Sequence, residues 1–319
     1  MNHPLLTLNR VTKTFRYGIL GFKFKAVDNI TLTLEDKPHI FTIAGESGSG
    51  KTTLAKMILR LLKPDQGKIL FKGVDIYILD NITFNRNIQP ILQDPYAAFN
   101  PMRKVITYLE DTAKNVLGLK DPYNIKERIS EVLSYVGLDL SKVAQKYPHE
   151  FSGGELQRMA IARALIPSPK LIVADEPVSM LDASLRINIV NLMKKIKDEK
   201  GITFIYITHD LATAYYLSDK IAVMFRGTII EVGDSKKVLS KPLHPYTQIL
   251  MESLPQVDPK RRSEWSMKRP KLGFHIEEQE FALKGCKFMP RCPYAMSICK
   301  NDPPEIDIGG TRVRCWLYK

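Results

Sequence analysis

Cysteine is scarce: the 319-residue chain has four, and all of them fall in the last 34 positions. Scattered thiols would suggest core packing; this clustering points to a shared ligand or to disulfides. Long apolar runs are missing as well. No stretch reaches the roughly 18 residues that cross a bilayer, and the N-terminus, MNHPLLTLNR, lacks the hydrophobic region of a signal peptide. The chain is therefore expected to stay in the cytoplasm, or to reach a membrane only by docking on another protein. That placement makes disulfides the weaker choice. No internal repeat, low-complexity tract or sustained heptad pattern is present. A focused basic stripe is missing too, although the formal charge is +13. Residues 257–319 hold 13 Lys+Arg against 8 Asp+Glu, and the rest of the excess is spread along the chain, with a short cluster at Lys260-Arg261-Arg262. Direct nucleic-acid binding is not expected from such a distribution.

What the chain does have is the composition of a soluble globular protein, 44% hydrophobic and 25% charged, and enough length for one large or two ordinary domains. Its most informative stretch is Gly45-Glu46-Ser47-Gly48-Ser49-Gly50-Lys51-Thr52, which fits G-x-x-x-x-G-K-[ST]. Residues 39–44, HIFTIA, read as a short buried strand. Residues 51–62 carry Leu54, Ile58, Leu61 and Leu62 at helical spacing. Strand, glycine-rich turn and helix form the context in which backbone N–H groups and a helix N-terminus cradle phosphate oxygens. Thr53 continues the helix start. Lys51 would reach the β- and γ-phosphates of a nucleoside triphosphate and the Thr52 hydroxyl would ligate Mg²⁺.

Before this loop, Leu6, Leu8 and Val11, and then Ile30, Leu32 and Leu34, alternate with polar residues as strands do. Phe15, Tyr17, Phe22 and Phe24 are expected in a glycine-containing loop between them, where one ring can stack on a base or all can pack on the sheet. Residues 63–67 form a turn, strands follow around 68–71 and 74–76, and 91–95 close a β segment. From about 101 to 148 the pattern is helical. Ile125, Ile129, Leu133 and Val136 form an apolar stripe ending at Gly137, a plausible helix stop that core packing explains. Strand–helix alternation then resumes, with strands at 171–174 and 202–208, helices at 183–200 and 210–217, and a hairpin of 221–225 with 228–232 around Arg226-Gly227. The alternation implies an α/β fold with a largely parallel core sheet. A Pro- and charge-rich stretch, residues 255–270, reads as a linker.

Two further stretches carry chemistry. Leu171-Ile172-Val173-Ala174 runs into Asp175 and Glu176. A strand ending in acids is often only a strand meeting solvent. Downstream of a phosphate loop, Asp175 is better read as a Mg²⁺ residue and Glu176, on the other side of the pleat, as a group that polarises an attacking water. Phe151-Ser152-Gly153-Gly154-Glu155-Leu156-Gln157-Arg158 precedes a clean helix. Ser152 and Glu155 have capping-box spacing, and the paired glycines clear a helix N-terminus that can meet a phosphate.

Taken together, GESGSGKT, Gln93, FSGGELQR, LIVADEP, Ser179-Met180-Leu181-Asp182 and His209 resemble, in order and spacing, the ATP-binding subunits of ABC transporters. The resemblance covers essentially the whole chain. It implies a P-loop ATPase core with an antiparallel β subdomain and an inserted α-helical subdomain at about 95–167, all within residues 1–254. It implies ATP and Mg²⁺ as ligands: Gly45, Ser47, Gly48, Ser49, Gly50, Lys51, Thr52 and Thr53 around the phosphates, Phe15 stacked on adenine with Tyr17 as the nearest competitor, and Thr52, Gln93 and Asp175 at the metal. Glu176 would be the general base, His209 the residue contacting the γ-phosphate, and Gln93 the sensor of metal or water. Ser152, Gly153 and Gly154 would cap ATP held by a facing subunit, with Asp182 communicating between the two. The chain departs from the family's S-G-G-Q at Glu155, whose carboxylate either weakens contacts near the partner's nucleotide or serves the cap; the cap is the preferred reading.

Leu243-His244-Pro245-Tyr246-Thr247-Gln248 followed by Cys286, Cys292, Cys299 and Cys315 resembles the oligopeptide/dipeptide importers within that family. Residues 255–319 would then be a small C-terminal extension with a four-cysteine site. By spacing alone the thiols suit Zn²⁺ or an iron–sulfur cluster; the resemblance implies [4Fe-4S]. Gln93-Asp94-Pro95-Tyr96-Ala97 and Glu176-Pro177-Val178-Ser179 further resemble the second of the two unlike ATPase subunits of such importers. This implies a homologous partner ATPase, two membrane-spanning permease subunits and an extracellular solute-binding protein, with this chain peripheral on the cytoplasmic side. Relatives of this class also import sugars or nickel, and a non-transport ABC ATPase is the more distant alternative.

Overall fold

The computed structural model describes residues 3–17, 22–253 and 280–319. In chain order, strands β1 (Leu6–Tyr17), β2 (Phe22–Leu34) and β3 (Ile40–Ala44) lead to helix α1 (Lys51–Ile58). Strands β4 (Gln66–Phe71) and β5 (Val74–Asp75), helix α2 (Asn81–Asn87) and strand β6 (Ile88–Ile91) follow. A helical section comprises α3 (Ile106–Leu117), α4 (Pro122–Tyr135), α5 (Leu140–Val143) and α6 (Gly153–Leu165). Then come β7 (Leu171–Asp175), α7 (Ala183–Lys200), β8 (Thr203–Thr208), α8 (Leu211–Leu217), β9 (Lys220–Phe225), β10 (Thr228–Asp234), α9 (Ser235–Ser240) and α10 (Pro245–Glu252). The C-terminal part adds β11 (Glu305–Ile308) and β12 (Thr311–Arg314).

Two sheets organise these elements. A four-stranded antiparallel sheet runs β2-β1-β4-β5, and an eight-stranded sheet runs β11-β12-β10-β9-β3-β8-β7-β6. From β9 to β6 the larger sheet is parallel, and from β9 outward through β10 it is antiparallel. Its central strands are buried on both faces, as a parallel sheet requires. The pleat sorts them: Ile40, Ile172, Ala174, Phe204 and Tyr206 join α3, α4, α6 and α7 in one apolar cluster. Phe41, Ile43, Leu171, Val173, Ile205 and Ile207 face α1 and the antiparallel sheet. The α4 stripe Ile125, Ile129, Leu133 and Val136 is buried as expected, and Gly137 turns left-handed behind it.

Several expectations need correction. Phe15 and Phe24 are not in a loop; they are register partners across the β1–β2 hairpin, ring centroids 6.0 Å apart. The side chains of Tyr17 and Phe22 lie outside the described residues, as do the stretch 255–270 and the Lys260-Arg261-Arg262 cluster. Helix α1 ends at Ile58 rather than 62, leaving Leu61 67% exposed. Glu176 is not on the pleat of β7: the strand stops at Asp175, and Glu176 takes φ 47°.

The C-terminal part is continuous with the ATPase sheet. The β11–β12 hairpin turns on Gly309 and Gly310, both at positive φ as a two-residue turn requires. Strand β12 then pairs with β10 through Glu231↔Val313 and Val232↔Arg312. Phe288 fills a cluster with Phe225 and Tyr246, which brings the cysteine segment against the far side of β9. Among the described residues, no helix is long and apolar enough to cross a membrane.

Candidate active site

Strand β3 delivers the chain into the 45–52 loop, whose shape depends on two glycines. Gly45 has φ 154°, and a Cβ there would sit 2.2 Å from the Met224 carbonyl oxygen; Gly50 has φ 103°, and its Cβ would sit 2.1 Å from that of Ala26. Only glycine allows both the backbone angle at residue 50 and these close approaches. The turn between β9 and β10 backs the loop, with the Gly227 amide donating to the Ser49 carbonyl at 2.9 Å. Ser49 is buried, and Lys51 is 5% exposed with Nζ donating to the carbonyls of Gly45 and Glu46 at 2.7 and 2.8 Å. Burial pulls the Lys51 ammonium below its usual range, opposed by the charges of Glu176, Asp175 and Glu46.

Thr52, on the first turn of α1, donates to Asp175 Oδ1 at 3.3 Å. Burial raises the Asp175 carboxyl above the usual range, and the Thr52 hydrogen bond opposes this. A buried carboxylate beside a hydroxyl is a pair of hard oxygen donors suited to Mg²⁺, which would satisfy the charge that burial disfavours. Thr52 and Asp175 would hold such an ion, which would supply positive charge beside bound phosphate.

Glu176 is held where a non-glycine residue rarely sits, a conformation that costs on the order of 1–3 kcal/mol. Its amide donates to Ile207 O at 2.9 Å, and Ser179 returns both N–H and hydroxyl to its carbonyl at 3.2 and 3.0 Å. The result is an aimed carboxylate: Gln93 Nε2 donates to Oε2 at 3.3 Å, and His209 Nδ1 lies 3.0 Å from Oε1. A carboxylate fixed between an amide and an imidazole can take a proton from water.

Phe15, Ser47, Gly48, Gly50, Lys51, Thr52, Thr53, Gln93 and Glu176 line one cleft of about 400 Å³, together with Phe24, one of the four aromatics read as able to stack on a base, and Ala26, which no motif marks. Phe24 enters the cleft as the cross-strand register partner of Phe15. Lys13 Nζ lies 5.9 Å from the Phe15 ring centroid.

Ser152, Gly153, Gly154, Glu155 and Asp182 do not line that cleft. They form a second patch. Ser152 caps α6 in a reciprocal box, with the Glu155 amide donating to Ser152 Oγ at 3.3 Å and the Ser152 amide donating to Glu155 Oε2 at 3.0 Å. Those bonds from the Ser152 backbone and hydroxyl hold the Glu155 carboxyl below its usual range. Asp182 caps α7, accepting from the Leu185 amide at 2.9 Å. A Cβ on Gly153 would meet Leu181 and one on Gly154 would meet Leu185, so the two helix N-termini are packed together.

All four cysteines are free thiols. The Cys286 amide donates to Cys299 O at 2.9 Å. Burial, with smaller contributions from the charges of Cys299, Cys315 and Cys292, pushes the Cys286 thiol up to about 11. Cys292 and Cys315 are raised in the same way, chiefly by burial. The four therefore share one neighbourhood. Among the described residues, no group of three or more His, Cys, Asp or Glu is arranged to hold a single metal ion, so the closely spaced tetrahedral thiolates of a zinc site are not preformed.

Comparison with known proteins agrees with this geometry. Residues 27–179 match the family model "ABC transporter" and residues 230–299 the model "Oligopeptide/dipeptide transporter, C-terminal region". The chain is 40% identical to the oligopeptide transport ATP-binding protein AppF of Bacillus subtilis, over 98% of this chain and 97% of that one. It is 40% identical to the oligopeptide transport ATP-binding protein OppF of Streptococcus mutans, over 80% of this chain and 83% of that one. Among solved structures it resembles the dimeric ATP-binding cassette MJ0796 bound to ADP and Pi, with TM-score 0.64 and 28% identity, covering 72% of this chain and 99% of that chain. The strand, loop and helix that hold Lys51, Thr52 and Asp175 thus belong to an ABC ATPase, and the chain is a member of the ABC-transporter ATP-binding family that carries the oligopeptide/dipeptide C-terminal region.

Proposed function

We propose that this chain hydrolyses ATP to power import of oligopeptides or dipeptides, as one of two unlike ATPase subunits beneath two membrane-spanning permease subunits. An extracellular solute-binding protein supplies the cargo, and the chain sits on the cytoplasmic face. The observation that carries this reading is the split between its two patches. Lys51, Thr52, Asp175, Gln93, Glu176 and His209 form one half of a composite site. Ser152, Gly153 and Gly154, with Asp182 beside them, sit apart and suit the ATP of a facing subunit. In this reading Lys51 neutralises phosphate charge, Glu176 accepts the proton of the attacking water, and His209 and Gln93 fix that carboxylate. Glu155 serves its own helix cap, which leaves the glycine backbone free to meet the partner's nucleotide. Residues 1–254 act as the ATPase domain, with 95–167 as its helical subdomain and 255–319 as the extension.

The test is composition and transport together. The purified complex should contain one copy of this chain and one of a second ATPase, and in vesicles it should take up labelled peptide only with ATP. Two copies of this chain and no second ATPase would refute the heterodimer; uptake of sugar or nickel instead of peptide would refute the cargo.

The four thiols support a [4Fe-4S] cluster: they are free, with Cys299 and Cys315 buried and Cys286 and Cys292 half-buried, and the four-thiolate set is that of such clusters. When bound, the cluster would pin the extension on Cys286, Cys292, Cys299 and Cys315. Protein isolated without oxygen is expected to be brown and to hold about four irons per chain; stoichiometric zinc in a colourless protein would reject the assignment.

A further inference from the structure

The phosphate loop contains one acid, Glu46, in a site that must bind a polyanion. Its charge is felt at Lys51, the ammonium that faces the phosphates, together with the charges of Glu176 and Asp175. Those two carboxylates have roles at the metal and the water. Glu46 has none there, and two side chains hold it, one from α10 and one from the cysteine-bearing segment. Its amide donates to Tyr246 Oη at 2.9 Å, and its carboxylate accepts from Arg291 Nη1 and Nη2 at 3.5 and 3.2 Å.

Arg291 is no loose surface cation. It precedes Cys292, is 10% exposed, and lies 4.9 and 5.4 Å from the Phe225 and Phe288 ring centroids. Its Nε lies 2.7 Å from Glu280 Oε1, and the other oxygen of Glu280 accepts from Arg226 Nε at 2.7 Å. Glu280, 1% exposed, thus joins two guanidinium groups. Arg226 in turn sits on the turn that backs the phosphate loop. Buried charges persist only when paired in this way. Among the described residues, the chain Arg226–Glu280–Arg291–Glu46 alternates positive and negative groups, running from the extension to the loop.

We propose that Arg291 is a positioning residue of the nucleotide site, delivered by the cysteine-bearing extension to neutralise Glu46 and hold its carboxylate away from the bound phosphates. The proposal rests on the ATP-binding reading of the loop, and it makes docking of the extension a condition for tight nucleotide binding. A carboxylate that is charged and unpaired should be the worst state of position 46, worse than no carboxylate.

The test is equilibrium binding of MgATP to the full chain at low and high salt. Arg291→Met is expected to weaken binding about tenfold at low salt, and less at high salt, where screening shortens the reach of Glu46. Glu280 keeps Arg226 as partner in this variant. Glu46→Gln alone is expected to bind two- to threefold tighter, roughly the effect of removing one exposed repulsive charge. The double variant Arg291→Met/Glu46→Gln should recover most of the tenfold loss. A purely structural role for Arg291 would not be rescued by Glu46→Gln, so an unrescued loss overturns the proposal, as does an Arg291→Met variant that binds like wild type. Should Arg291→Met not fold, Glu46→Asp, which shortens the carboxylate away from Arg291, must bind more weakly than Glu46→Gln; equal or tighter binding overturns the proposal. A wild-type chain that binds no MgATP would instead refute the reading of the loop itself.

Discussion

Glu176→Gln is expected to retain MgATP binding and to lose turnover by roughly two to four orders of magnitude, the usual contribution of a general base. The substitution keeps the shape of the side chain, and its carbonyl oxygen still accepts from one neighbour, so the aimed geometry between Gln93 and His209 persists. What is lost is an oxygen able to take a proton. Lys51 also loses one of the negative charges acting on it, so ATP affinity should hold or rise. Retained affinity with abolished kcat separates a group that acts in the transition state from one that merely binds. The measurement pairs equilibrium ATP binding with phosphate release in the presence of the facing subunit. Release at the wild-type rate would remove Glu176 from the base role, and loss of binding would make it a structural residue of the loop.

The same residue marks where the sequence stopped being readable. That an acid follows the apolar run 171–174 is plain from the letters; that it leaves the strand at φ 47° is not, because glutamate has no preference for that conformation. The turn is imposed from outside by Ile207 of β8, which accepts the Glu176 amide, and closed locally by Ser179, three residues on. Helix α1 is a similar case. Its apolar spacing continues through Leu61 and Leu62, yet the chain turns left-handed at Arg60, with the Leu61 amide returning to Lys56 O at 2.8 Å in a Schellman closure. A glycine there would have announced the stop; Arg60 hides it. Its guanidinium is held 4.7 Å from the Phe84 ring and donates to Leu79 O.

Local rules did reach most of the fold. Alternation identified β1 and β2, apolar runs identified the buried strands, S-x-x-E spacing identified the α6 cap, and glycine pattern identified the phosphate loop, because each is decided by residues within a few positions of one another. The Phe15–Phe24 pair required knowing that glycine-flanked aromatics lie on a hairpin rather than in its loop. The Glu46–Arg291 contact spans 245 positions, and no short pattern could reveal it. The site was therefore legible as a set of motifs, whereas the wiring between its loop and the C-terminal extension was visible only after folding.

Gly50→Ala should carry the second largest effect, a fall in MgATP affinity of about a hundredfold. Residue 50 has φ 103°, a conformation that costs a residue with Cβ on the order of 1–3 kcal/mol, and each 1.4 kcal/mol is about tenfold in affinity. Space compounds the strain. The new methyl would lie 2.1 Å from the Ala26 carbonyl and 2.8 Å from Met224 Cε. Ala26 belongs to β2 and Met224 to β9, so the methyl meets backbone on one side and a packed core side chain on the other. The methionine can move; the carbonyl is held in place by its strand, so the loop must give way. Because residue 50 caps α1 and precedes Lys51, the displacement falls on the ammonium and the amides that meet the phosphates. The core of the sheet lies outside this movement, so heat stability should fall far less than affinity. Equilibrium ATP binding and thermal unfolding of the full chain check both halves. A Gly50→Ala protein that binds MgATP within threefold of wild type would mean that the loop tolerates a side chain at residue 50, and that its curl around the phosphates does not depend on glycine there.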